Sequence, residues 1–89
     1  MIKQQLTVIN RLGLHARAAA KLVSTASGFS SNISIAANGH NVDAKSIMGI
    51  MMLAATCDTT VEITANGDDE TNALNAIEAL FLDYFGEGD

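Results

Sequence analysis

The stretch Asn32-Ile33-Ser34-Ile35-Ala36-Ala37-Asn38-Gly39-His40-Asn41-Val42-Asp43 decides the fold. Ile33 and Ile35 alternate with polar or small residues, the period of a half-buried strand. Asn38-Gly39 is the strongest hairpin signal in the chain, because both turn positions of a type I′ turn want positive φ. A short return strand over 40–43, with Val42 as its main apolar residue, pairs back antiparallel.

The flanking segments extend this hairpin into a sheet with helical cover. Upstream, residues 2–9 place Ile2, Leu6 and Val8 on one face at period two, with Gln4 the exception. Ala16, Ala19, Ala20, Val23 and Ala26 then recur at helical steps over 16–27, and Gly28 supplies a stop. Downstream, Ser46 is placed to N-cap a short helix over 47–53, in which Ile50 and Met52 are the expected core residues. Val61, Ile63 and Ala65 face inward on a strand over 60–65. A helix starting after Asn66-Gly67-Asp68-Asp69 runs to about residue 84, with Ala73, Leu74, Ile77, Leu80, Phe81 and Tyr84 as its apolar stripe. The last four residues, Gly86-Glu87-Gly88-Asp89, are expected to fray. The order β-α-β-β-α-β-α is that of an α+β fold. Each strand has one apolar face, so an antiparallel sheet covered by helices on one side satisfies all of them.

Gly13-Leu14-His15-Ala16-Arg17-Ala18-Ala19-Ala20 is where chemistry concentrates. His15 stands just before a helix, beside unpaired N–H groups and the positive end of the macrodipole, where an anion can be held. Arg17 adds a fixed charge with a fork that matches phosphate. The backbone N–H groups of Ala16, Arg17 and Ala18 can point at whatever the imidazole carries. Such a site suits taking up a phosphoryl group and giving it away.

Composition limits the alternatives. Eighty-nine residues are expected to form one domain over 1–89. The net charge of −5 argues against a nucleic-acid partner. All five basic residues precede position 46, whereas nine of the ten acids lie from Asp58 onward, so a local positive field around His15 is compatible with an acidic chain. Apolar runs are too short for membrane insertion. The single Cys57 forms no internal disulfide, and a cytoplasmic location is expected. No Walker loop, no paired metal ligands and no Ser-His-Asp arrangement can be assembled, so no cofactor, no metal and no free-standing enzyme are expected.

Gly13-Leu14-His15-Ala16-Arg17, followed by Lys45-Ser46-Ile47-Met48-Gly49, resembles the HPr family, the histidine-containing phosphocarriers of the bacterial phosphotransferase system. The resemblance covers the whole chain. It implies an open-faced β-sandwich of four antiparallel strands with three helices on one face. It implies that His15 accepts phosphate at Nδ1 from phosphorylated enzyme I and donates it to a histidine of an IIA-type component, with Arg17 stabilising the phosphate. Ile47, Met48 and Met51 would lie beside His15 and dock both partners, with Lys21 and Lys45 as steering charges. Ser46 would be the regulatory phosphorylation site in bacteria that have an HPr kinase/phosphorylase. A small carrier that meets several partners is expected to be a monomer. Ala18 departs from the family's usual proline, and retained phosphocarrier activity is expected there. Two other readings stay open: the related nitrogen-branch carrier (NPr) feeding a regulatory IIA protein, and an interaction module that never carries phosphate.

Overall fold

The computed structural model describes residues 1–89. Strand β1 (Ile2–Thr7) is followed by α1 (Ala16–Ser27), the hairpin β2 (Asn32–Ala37) and β3 (His40–Asp43), then α2 (Ile47–Met52), β4 (Thr60–Asn66) and α3 (Glu70–Leu82), with a terminal 3-10 turn at Tyr84–Gly86. The four strands form one antiparallel sheet in the order β1-β4-β2-β3. The hairpin turn is the expected one, with Asn38 at φ 51° and Gly39 at φ 83°. Asn38 adds a bond not foreseen: its Nδ2 donates to the Leu53 carbonyl (2.9 Å) and ties the hairpin to the end of α2.

Alternation along the strands sends Ile33, Ile35, Val61, Ile63 and Ala65 into the core, where they meet Leu22, Ala26, Ile77 and Phe81 from the helices. The small alanines of α1 that face inward, Ala18, Ala19 and Ala26, are fully buried. Gln4, the polar exception on the inner face of β1, reaches α3, where its Nε2 donates to Glu78 Oε2 (2.7 Å). The bond explains why a glutamine is tolerated there.

Asp69 stands at the N-cap position of α3 but makes no side-chain cap bond. Its carboxylate instead accepts from the Ser31 hydroxyl, from the backbone N–H groups of Ser30 (2.8 Å) and Ser31 (3.0 Å), and from the Ser30 hydroxyl. These bonds, that from the Ser31 hydroxyl foremost, hold its carboxyl at about 2 against an ordinary 3.8. A carboxyl lowered on folding contributes stability above its unfolded value and loses it as the pH falls through the folded value. Stability is therefore expected to drop as the medium is acidified from about pH 4 to about pH 2. Urea midpoints measured across that range should fall less steeply in Asp69→Asn than in the parent chain.

Three sequence expectations fail here. In α1, Ala16 and Ala20 of the expected stripe are exposed, and Ala18 takes the inward place. Met52 is not a core residue: it is 59% exposed, while Ile50 is fully buried as expected. A six-residue helix turns only one stripe inward, and Ile50 and the adjoining Leu53 fill it. The C-terminal segment is not frayed either. α3 ends at Leu82, and Tyr84, Phe85 and Gly86 all take left-handed angles (φ 56°, 54° and 74°). That turn folds the chain back. Phe85 becomes fully buried, with its ring 4.9 Å from that of Phe81. The Lys21 ammonium donates to the Phe85 carbonyl (2.7 Å), which clamps the turn against α1.

Candidate functional site

His15 is the N-cap of α1, with extended backbone (φ −74°, ψ −179°). Its carbonyl accepts the first helical bond, from Ala19 N (2.8 Å), and its Nδ1 accepts from Arg17 N (3.3 Å). Ring and helix terminus are thus joined. The backbone N–H groups of Ala16 and Ala18 have no acceptor within the protein. The Arg17 side chain is exposed and makes no ion pair.

Gly13 makes this placement possible. Its φ of +71° turns the chain between Asn10 and the helix, Leu14 N donates to the Ala55 carbonyl (2.9 Å), and Asn10 Nδ2 donates to the Gly13 carbonyl (2.8 Å). His15 is therefore presented by a loop fixed at both flanks. It is half-buried, with 27% of its side chain exposed.

The far side of the ring meets Glu87, a residue that belongs to no motif. His15 Nε2 is hydrogen-bonded to Glu87 Oε2, and Asn10 Nδ2 donates to Glu87 Oε1 (2.9 Å). Burial works against the Glu87 carboxylate, whose side chain is only 5% exposed. The bonds from Asn10 and His15 and the field of Arg17 more than offset it, holding the carboxyl below the usual range. Neither Asn10 nor Glu87 belongs to a spacing pattern, and only the folded-back turn brings them to the site.

The half-buried imidazole thus stands at a helix N-terminus, beside N–H groups without an acceptor and a guanidinium without an ion pair. The chain matches the protein-family model for the "PTS HPr component phosphorylation site" over residues 2–83. It belongs to the HPr family. It is 51% identical over 89 residues to the phosphocarrier protein HPr of Cupriavidus necator, with both chains fully covered. Among solved structures, HPr from Thermoanaerobacter tengcongensis is 45% identical, with 98% of each chain covered and a TM-score of 0.94. A structure of the HPr dimer from the same organism matches with a TM-score of 0.78 at 45% identity, covering 98% of this chain and 100% of that one. The protein is thus a phosphocarrier of the phosphotransferase system rather than a catalyst, with the open four-stranded sheet and three helices of HPr structures.

The remaining HPr-motif residues fall on two elements. Ser46 caps α2, its Oγ accepting from Gly49 N (3.1 Å). Ile47, Met48 and Met51 are exposed, Met48 by 76%. Met51 shares with His15 a shallow hollow of about 280 Å³, completed by Leu12, Leu14 and Ala54. The structure therefore brings His15 and Met51 to one surface. Both lysines are tied to backbone: Lys21 to Phe85, and Lys45 through its Nζ to the Phe29 carbonyl (2.8 Å). Ala18, at the family's proline position, is fully buried. No helix is long and apolar enough to cross a membrane.

Proposed function

We propose that His15 takes a phosphoryl group at Nδ1 from phosphorylated enzyme I and passes it to a histidine of an IIA-type component. The observation that carries this reading is that Nδ1 faces the start of α1, as acceptor of the Arg17 N–H. The Nδ1 lone pair attacks phosphorus once the Arg17 N–H lets go of it. The nitrogen–phosphorus bond forms as the bond from phosphorus to the donor breaks, leaving its electron pair on the donor. The Arg17 N–H, released from Nδ1, joins those of Ala16 and Ala18 in donating to phosphoryl oxygens, and the Arg17 guanidinium balances their charge. Delivery to the acceptor reverses these steps. The partner supplies the rest of the transition state.

The whole chain, 1–89, acts as one carrier domain in the cytoplasm and works as a monomer. Ile47, Met48 and Met51 form an adaptable apolar contact for both donor and acceptor. Lys21 and Lys45, whose Nζ groups donate to the Phe85 and Phe29 carbonyls, act as steering charges for an acidic partner face. A phosphate on Ser46 would sit at the start of α2, where it need not unfold the helix, and would set negative charge beside the docking residues. An HPr kinase/phosphorylase is the enzyme that would place it. Sugar uptake is the preferred branch over a nitrogen-branch carrier, given the apolar run from Met48 to Ala55.

The protein should be incubated with phosphoenolpyruvate and enzyme I. An acid-labile gain of one phosphoryl group is expected, absent in His15→Ala and transferable to a sugar-specific IIA protein. Absence of any gain in the parent chain would favour the interaction module, and transfer only to a regulatory IIA protein would favour the nitrogen branch.

A further inference from the structure

We infer that Glu87 is a positioning residue for phosphoryl transfer: it fixes the proton of His15 on Nε2 and so keeps the lone pair on Nδ1. The inference rests on His15 being the phosphoryl acceptor. It follows from the direction of each hydrogen bond in a short chain. Asn10 is fully buried, and its Nδ2 donates both to the Gly13 carbonyl (2.8 Å) and to Glu87 Oε1 (2.9 Å). A flipped amide would turn Oδ1 toward two acceptors, so the donor end must face Glu87. The cost is visible, for Asn10 Oδ1 is buried without any partner. Glu87, held ionised by its surroundings, can only accept. Its second oxygen therefore requires a proton on His15 Nε2. With Nε2 protonated, Nδ1 is left as the acceptor, which is how it meets the Arg17 N–H. The three contacts agree on one tautomer.

The same carboxylate has a second effect during transfer. As Nδ1 bonds to phosphorus, positive charge develops on the ring. The Nε2 proton stays in its bond to Glu87, whose negative charge opposes the build-up. No proton has to leave or arrive, and no further reactant is needed. Glu87 touches neither phosphorus nor donor and acts only through the ring.

Glu87→Gln tests this directly. An amide of the same shape cannot accept from both Asn10 Nδ2 and His15 Nε2–H. If its oxygen stays with Asn10, its NH₂ faces Nε2 and calls for the proton on Nδ1, the unreactive tautomer. Phosphoryl uptake from enzyme I is expected to slow by about tenfold or more, the weight of one charge-assisted hydrogen bond. The ¹⁵N resonances of His15 should show Nδ1 gaining protonated character, which a purely structural role for Glu87 would not produce. Glu87→Ala, which removes the acceptor without adding a donor, should fall between parent and Gln variant in both readouts, and it carries the test if Glu87→Gln does not fold. Parent-like rates and parent-like ¹⁵N shifts in the folded variant would overturn the inference while leaving the carrier reading intact. Phosphoryl uptake by His15→Ala would instead sink the carrier reading itself.

Discussion

Phe85→Ala is expected to lower the free energy of unfolding by about 3–5 kcal/mol, the usual cost of truncating a buried phenylalanine. Phe85 is fully buried, lies against Phe81 at 4.9 Å with the rings tilted by 56°, and belongs to the main core cluster. The effect should exceed that of a cavity elsewhere, because Phe85 also holds its own backbone in place. Non-glycine residues in left-handed conformation cost roughly 1–2 kcal/mol each, and here Tyr84 and Phe85 both adopt it. Burial of the ring offsets that strain. Without the ring, the turn can relax and Glu87 leaves His15. A urea titration should show a lower midpoint with little change in slope, and the ¹⁵N signature of His15 should move toward that of Glu87→Ala. A loss below about 1 kcal/mol would mean that the segment is held by its hydrogen bonds and not by the ring.

Gly13→Ala is the second change with a large expected effect. A Cβ at this position would lie 2.7 Å from the Ala55 carbonyl oxygen and 2.9 Å from Thr56 Cα. Both are backbone atoms, so no side chain can swing aside. The residue is also left-handed, at φ +71°. Strain of roughly 1–2 kcal/mol adds to an overpacking cost of about 1–3 kcal/mol. The loop before α1 or the segment 54–56 must move, and His15 moves with it. Gly39→Ala is the built-in comparison: its φ is +83°, but nothing lies within 4 Å of the added carbon. It should show the strain alone and leave phosphoryl uptake unchanged, whereas Gly13→Ala should lose both stability and uptake rate. Equal destabilisation by the two variants would show that the close approach to Ala55 is not what requires glycine.

Much of this architecture is legible in the sequence because it rests on local patterns. The Asn38-Gly39 turn, the alternation of Val61, Ile63 and Ala65, and the Ser46 cap are each decided within a few residues. His15 at the head of an alanine-rich helix is legible for the same reason. What escapes is set by tertiary structure. Periodicity places Gln4 on the inner face but cannot show its partner Glu78, 74 positions away, and it misplaces Met52 because α2 is too short and too uniformly apolar to declare its buried side. The C-terminal segment reads as a polar, glycine-rich end, yet it turns back through two left-handed aromatic residues and is anchored by the buried Phe85. No propensity argument selects that conformation for Tyr84 and Phe85. Glu87 therefore looks like one more acid in an acidic half, and its place beside His15, 72 positions earlier, appears only in three dimensions.

The strand order has a consequence for synthesis. β4 lies between β1 and β2, and Ile2 pairs with Ala65. Strand β1 thus leaves the ribosome well before β4, its only partner in the sheet. Until residue 66 has emerged, β1 has no neighbour and the hairpin is bare on both edges, so both offer unpaired backbone to other nascent chains. Sheet formation waits for the synthesis of β4, and a ribosome stalled before it would release a chain with helices and a hairpin but no closed core.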